Sequence, residues 1–122
     1  MKRILVVDDS NMTRKMVISI LSREGYQVDS AGNGLEALER LYQTAYDLVI
    51  TDINMPQMDG LEFLRQVRQE SQYGRLPVLV LSSNSSPEEV QRTLRAGASL
   101  YLIKPAPPEK LLESVRALLK AG

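Results

Sequence analysis

The chain has 122 residues, 43% of them hydrophobic, which is the length of one ordinary domain with enough apolar side chain for one core, so a single domain over 1–122 is expected. Its 15 Lys plus Arg balance 15 Asp plus Glu, leaving no net field to draw it to nucleic acid or an anionic membrane, and neither partner is expected. The absence of cysteine excludes disulfides and thiolate chemistry, and the absence of histidine removes the commonest general base, so any chemistry runs on carboxylates, hydroxyls, amides and lysine.

Short β-rich runs alternate with helical patterns, the signature of βαβ units and a parallel sheet. A first strand over 3–7 (RILVV) ends in Asp8 and Asp9. A helix begins near Asn11, with Met12, Met16, Ile20 and Leu21 as its apolar stripe and Gly25 after its end. A second strand, 26–31, leads to a helix after Asn33 that repeats Leu35, Leu38, Leu41 and Tyr42. The third strand, 47–52, ends in Asp52, and its helix, 59–70, turns Leu61, Leu64 and Val67 inward. The fourth, 77–82, ends in Ser82 and Ser83. Its helix opens on Ser86-Pro87-Glu88-Glu89, a capping box with proline at the first helical position, and Gly97 marks its end. The fifth strand, 100–103, ends in Lys104-Pro105, and the last helix follows Pro107-Pro108 and buries Leu111, Leu112, Val115 and Leu118. No run approaches the roughly 18 apolar residues of a membrane span, and Met1-Lys2-Arg3 leads into a strand, not a signal-peptide core, so a cytoplasmic location is expected.

In an open parallel sheet the carboxyl ends of the strands share one crevice, so Asp8, Asp9, Asp52, Ser82 and Lys104 should converge. Crowded carboxylates either raise a pKa or recruit a cation. A hard divalent ion such as Mg²⁺ suits the set, with Asp9 and Asp52 as ligands, Asp8 acting through water, and the backbone carbonyl of Asn54 offered by the turn after Asp52. The plainer alternative is that Asp8 and Asp9 cap the first helix. Asp52, alone at its strand end, is the candidate nucleophile for an aspartyl phosphate, with Lys104 and the metal neutralising phosphoryl charge and Ser82 donating a hydrogen bond. Met12, Met55 and Met58 read as core or rim filler.

The strings Val7-Asp8-Asp9-Ser10, Asp52-Ile53-Asn54-Met55-Pro56-Gln57-Met58-Asp59-Gly60, Ser82-Ser83 and Gly97-Ala98-Ser99-Leu100-Tyr101-Leu102-Ile103-Lys104-Pro105 together resemble a response-regulator receiver domain of the CheY type, in order and over the whole chain. The resemblance implies an α/β, (βα)5 flavodoxin-like fold with strand order 2-1-3-4-5. It makes Asp52 the phosphoacceptor, Asp8 and Asp9 the metal pair with the Asn54 carbonyl, Ser82 the switch hydroxyl, Lys104 the phosphate's lysine and Tyr101 the aromatic that changes rotamer. It also implies a cis Lys104-Pro105 bond.

A phosphohistidine donor must then be another protein, a sensor histidine kinase or phosphotransfer domain. Such a protein catalyses only its own phosphorylation and dephosphorylation. Phosphorylation would change the affinity of the face formed by the fourth helix, fifth strand and fifth helix for a protein partner, in chemotaxis-type signalling. Asn54 and Asn84, two residues beyond Asp52 and Ser82, influence the hydrolytic water in this family. Neither can act as a general base, so self-dephosphorylation should be slow or moderate.

The alternatives within the family are a phosphorelay intermediate or phosphate sink, and the receiver portion of a longer regulator. A Mg²⁺-dependent phosphatase would need a second acid where Asn54 stands, and a flavodoxin would need a hydroxyl-rich loop where Asp8 and Asp9 stand. Two departures stand out. Ala106 occupies the place of the family's usual phenylalanine, so packing at the start of the last helix should differ. Leu100 replaces an aspartate common in receivers that dimerise through this face, so a monomer is expected.

Overall fold

The computed structural model describes residues 1–121, the side chain of Ala121 excepted. Five strands, β1 (Arg3–Val7), β2 (Gln27–Ala31), β3 (Leu48–Thr51), β4 (Val78–Ser82) and β5 (Leu100–Ile103), form one parallel sheet in the order β2-β1-β3-β4-β5. Between and after them run α1 (Asn11–Arg23), α2 (Gly34–Gln43), α3 (Gly60–Gln69), α4 (Pro87–Arg95) and α5 (Pro108–Ala121), with a short 3-10 turn over Ser71–Tyr73. This is the flavodoxin-like (βα)5 arrangement, and strand and helix bounds lie within about one residue of those read from the sequence.

Helices cover both faces of the sheet, so the central strands are apolar on both sides. Alternation along β1 sends Leu5 and Val7 into a core with Phe63, Leu64, Val67, Ala37 and Leu41 from α2 and α3. It sends Ile4 and Val6 into a second core with Val17, Leu21, Leu111 and Val115 from α1 and α5. β1 pairs with β3 from Ile4↔Leu48 to Val7↔Thr51, which brings the residues following both strands, Asp8 and Asp52, out at the same edge.

Each of the first four helices begins on a short polar side chain that accepts a backbone N–H three residues on: Ser10, Asn33, Asp59 and Ser86. Gly97, at φ +118°, turns the chain from α4 into β5 in a conformation that side chains rarely adopt. Arg68 of α3 braces that turn, donating from Nε to the Gly97 carbonyl at 3.0 Å and from Nη1 to the Tyr73 carbonyl at 2.8 Å.

Three helix faces differ from the expected stripes. In α1, Met12 and Met16 are 80% and 53% exposed while Val17 and Leu21 are buried, so Met12 is not core or rim filler. In α2, Leu35 and Tyr42 face out and Gly34, Ala37, Leu38 and Leu41 face in. In α5, Leu111, Ser114 and Val115 are buried, with Leu112 and Leu118 half-buried at the margin. An i, i+4, i+8 series drifts around a helix, so a row of apolar residues can slide off the face that packs.

Candidate functional site

The site is assembled by strand ends. Asp8 follows β1 and Asp52 follows β3, and both are buried, whereas Asp9 is exposed. Lys104 reaches over from the end of β5, and its Nζ donates to Asp8 Oδ2 and to Asp52 Oδ2, each at 2.9 Å. Burial works against the Lys104 charge, but hydrogen bonds and Coulomb attraction from Asp8 and Asp52 outweigh it and raise its pKa. The remaining oxygens of the two acids bind backbone: Asp8 Oδ1 accepts the Ser10 N–H at 2.9 Å, and Asp52 Oδ1 accepts the Ile53 N–H at 2.6 Å. Asp8 therefore shapes the turn into α1, while the helix cap is Ser10, whose Oγ accepts the Thr13 N–H.

Asp8, Asp9 and Asp52 each offer an oxygen, all within 4.8 Å of one another. Three hard carboxylates facing one ammonium leave negative charge in excess, and hard oxygen donors are the set that Mg²⁺ takes. On donor chemistry the residues present fit a divalent cation. Asn54 lies in the turn after Asp52 with its side chain exposed. That turn is closed by Gln57 in the left-handed region, at φ +67°, and by a hydrogen bond from the Gly60 N–H to the Ile53 carbonyl at 2.8 Å. Gly60 is there because nothing larger fits. A Cβ on it would lie 2.0 Å from the Asp52 carbonyl oxygen.

Ser82, fully buried, is not hydrogen-bonded to the acids; its Oγ accepts the Asn84 N–H at 3.3 Å. The Asn84 carbonyl accepts the Tyr101 hydroxyl at 2.7 Å, and Asn84 Oδ1 accepts the Ser86 N–H at 3.0 Å. Ser86 is the cap of α4, so Asn84 links Ser82, Tyr101 and the start of α4 in one chain of contacts. Asn84 also takes the place that a full capping box would give to Glu89. That side chain does not reach back to Ser86 N–H; its Oε1 is buried without a hydrogen bond, 3.6 Å from Arg92 Nε.

Asp8, Asp52 and Lys104 thus meet directly, Asp9 completes the acid cluster, and Ser82, Asn84 and Tyr101 form a second group beside it. The Lys104-Pro105 bond is cis. At Ala106 the small side chain leaves a pocket of about 180 Å³ against Met16, Val17, Ile20, Leu81 and Leu111. Sequence reading missed Arg14, which donates to the Asp8 carbonyl and to Asn11 Oδ1, and Thr51, whose buried hydroxyl donates to the Asp52 carbonyl at 2.9 Å. Neither carries a distinguishing signal in one sequence.

The response regulator receiver domain family matches residues 4–116. A sheet of this order, with acids after its first and third strands tied to a lysine after its fifth, is the architecture of that class, and the chain belongs to it. It is a CheY-like receiver and not a conventional enzyme. Chemotaxis protein CheY1 of Helicobacter pylori is 38% identical over 119 residues, covering 96% of this chain and 96% of that protein. Response regulator MprA of Mycobacterium leprae is 43% identical over 97% of this chain, which spans 51% of that protein. Among solved structures, chemotaxis response regulator CheY4 of Vibrio cholerae superimposes with a TM-score of 0.91 at 42% identity, covering 97% of this chain and 98% of that one. No helix among the described residues is long and apolar enough to cross a membrane.

Proposed function

We propose that this chain is a phosphorylation-driven switch in which Asp52 accepts a phosphoryl group from a phosphohistidine on a histidine kinase or phosphotransfer protein. The observation that carries the reading is the Lys104 ammonium shared at 2.9 Å between Asp8 and Asp52. It holds the nucleophile beside a fixed positive charge at the one place where added phosphoryl oxygens would need it. A carboxylate oxygen of Asp52 attacks phosphorus, the P–N bond to the donor imidazole breaks, and the imidazole leaves with that electron pair, taking a proton from solvent.

Asp9 and Asp52, Asp8 through water, and the Asn54 carbonyl would hold Mg²⁺. Bound there, it supplies charge neutralisation at the phosphoryl oxygens. Lys104 would remain with the phosphoryl group, and Ser82 would turn its hydroxyl towards it. Because Asn84 holds Ser82 through its N–H and Tyr101 through its carbonyl, moving Ser82 disturbs the Tyr101 contact and the cap of α4 together. The output surface is the α4-β5-α5 face, where Leu94 and Ile103 are exposed. Similarity to chemotaxis CheY proteins over nearly their full length supports a protein target of that kind. The reading places the chain in the cytoplasm as one domain and, with Leu100 where receivers that dimerise through this face often carry aspartate, as a monomer. Asn54 and Asn84 tune the lifetime of the phosphate, which we expect to be slow or moderate in decay.

A second reading is favoured by the relatives of which the match spans only part. The chain covers 51% of MprA and 13% of a gliding motility regulatory protein of Myxococcus xanthus, so the same unit also serves inside longer regulators. A relay or phosphate-sink role would instead show as return of phosphate from Asp52 to a phosphotransfer histidine. The first test is intact mass after acetyl phosphate, with and without Mg²⁺, beside Asp52→Ala. One Mg²⁺-dependent adduct, absent in the variant, is expected. No adduct from acetyl phosphate or a cognate kinase would sink the proposal.

A further inference from the structure

The opposite end of the sheet, where the strands begin, holds a cleft of about 430 Å³ that the phosphoryl chemistry does not use. Its walls are Leu41, Tyr46, Tyr73, Leu76, Leu118 and Leu119, drawn from both cores, and its rim carries Lys2, Arg75 and Asp47. The polar ends of its tyrosines are already engaged: Tyr46 donates to Asp29 Oδ2 at 2.6 Å and Tyr73 to the Leu41 carbonyl at 3.0 Å. These rings therefore present carbon to the cleft. The one rim acid, Asp47, has Oδ2 accepting the Arg3 N–H at 2.8 Å. Lys2 and Arg75 are exposed, and neither forms an ion pair with the described residues.

A cleft of drug-like size, with an apolar wall of leucine and tyrosine, a polar rim and two rim cations that form no ion pair among the described residues, suits a molecule with an apolar body and one negative end. We propose that it binds a medium-chain or aryl carboxylate, the tail lying on Leu76 and Leu119 and the carboxylate between Lys2 and Arg75. A phosphate dianion without a tail would leave the apolar wall wet, and a neutral chain would leave both cations unused. The ligand would sit at the far end of β1 and β4 from Asp8 and Ser82, so this site stands or falls apart from the phosphoryl reading.

The test titrates the ¹⁵N-labelled full chain with octanoate, octanol, acetate and N-acetyl-leucyl-leucine, reading the amides of Leu76, Leu119 and the exposed Ala45, all of which line the cleft. Octanoate should give saturable shifts and acetate none. Lys2→Ala and Arg75→Ala should each weaken binding about twofold to fivefold, the worth of one exposed ion pair. Ala45→Trp, which puts an indole across the mouth, should abolish the shifts, while Asp52→Asn should leave them unchanged. Octanol binding as well as octanoate, shifts that never saturate, or full binding by Ala45→Trp would overturn the assignment. Tighter binding of the dipeptide would also overturn it, giving the cleft to a chain terminus.

Discussion

The two ends of the sheet solve opposite electrostatic problems. Where the strands end, Lys104 is shared by Asp8 and Asp52, and Asp9 lies beside those two acids, so acid is in excess and partly buried. Where they begin, each acid named has a partner and two cations are left over: Asp29 is held by Tyr46 and by Arg3 at 3.2 Å, Glu24 by Arg116 at 2.7 Å, and Asp47, which has no cation beside it, by a backbone N–H. Zero net charge conceals this polarity. One end gathers unbalanced acid around a single lysine, and the other is a set of contacts in which the acids are held by hydrogen bonds or ion pairs.

The sharpest way to break the comparison is Lys104→Met. It would leave two buried carboxylates with no counter-charge, and a loss of about 3 kcal/mol is expected in urea unfolding. An unchanged midpoint and slope would show that the acid end is better solvated than its burial implies. Gly60→Ala comes next. Forcing a Cβ against the Asp52 carbonyl should cost about 2 kcal/mol and slow adduct formation by shifting the nucleophile, read from thermal unfolding and intact mass together. If only stability falls, the turn holds the fold and not the site.

Asp52→Asn should go the other way. In metal-free buffer, removing one of three like charges is expected to raise stability by about 1 kcal/mol while the phosphoryl adduct disappears. A destabilised variant would mean that Lys104 more than offsets the repulsion. The mirror experiment at the other end is Tyr46→Phe, which should cost about 1 kcal/mol at neutral pH.

The pH profile of that cost is specific. Tyr46's hydrogen bond, opposed by burial and helped by Arg3, holds Asp29 below its ordinary 3.8. A lowered acid pKa stabilises above the ordinary value, and that contribution is lost as pH falls through the lowered one. Burial, and then Asp29, push Tyr46 up to about 12. A raised pKa stabilises below the ordinary value of 10.0, and that contribution is lost as pH rises towards 12. The difference between wild type and Tyr46→Phe, followed by urea unfolding across pH, should be flat between these limits and shrink beyond both.

Much of this is legible in the amino-acid sequence. Apolar runs ending in acid, hydroxyl or lysine locate the strands and the site, because a parallel sheet gathers its strand ends in one place. Ser10, Asn33, Asp59 and Ser86 announce their helices through capping chemistry that depends on only a few neighbouring residues. What stayed hidden depends on orientation or distant pairing. Residue type could not say that Met12 and Met16 face water, or that Asn84 and not Glu89 would serve the Ser86 N–H. The brace from Arg68 to Gly97 and the bond from Tyr46 to Asp29 join residues 29 and 17 positions apart, a separation no local pattern encodes.

The hydroxyl of Tyr101, anchored on the Asn84 carbonyl, also makes this chain unusually easy to watch. With five tyrosines, one phenylalanine and no tryptophan, fluorotyrosine labelling would give a spectrum of five resonances. Four belong to rings remote from Ser82. The fifth would shift when its anchor lets go, so any release of Tyr101 from Asn84 could be counted in solution from one peak, with no partner present and no probe added to the surface.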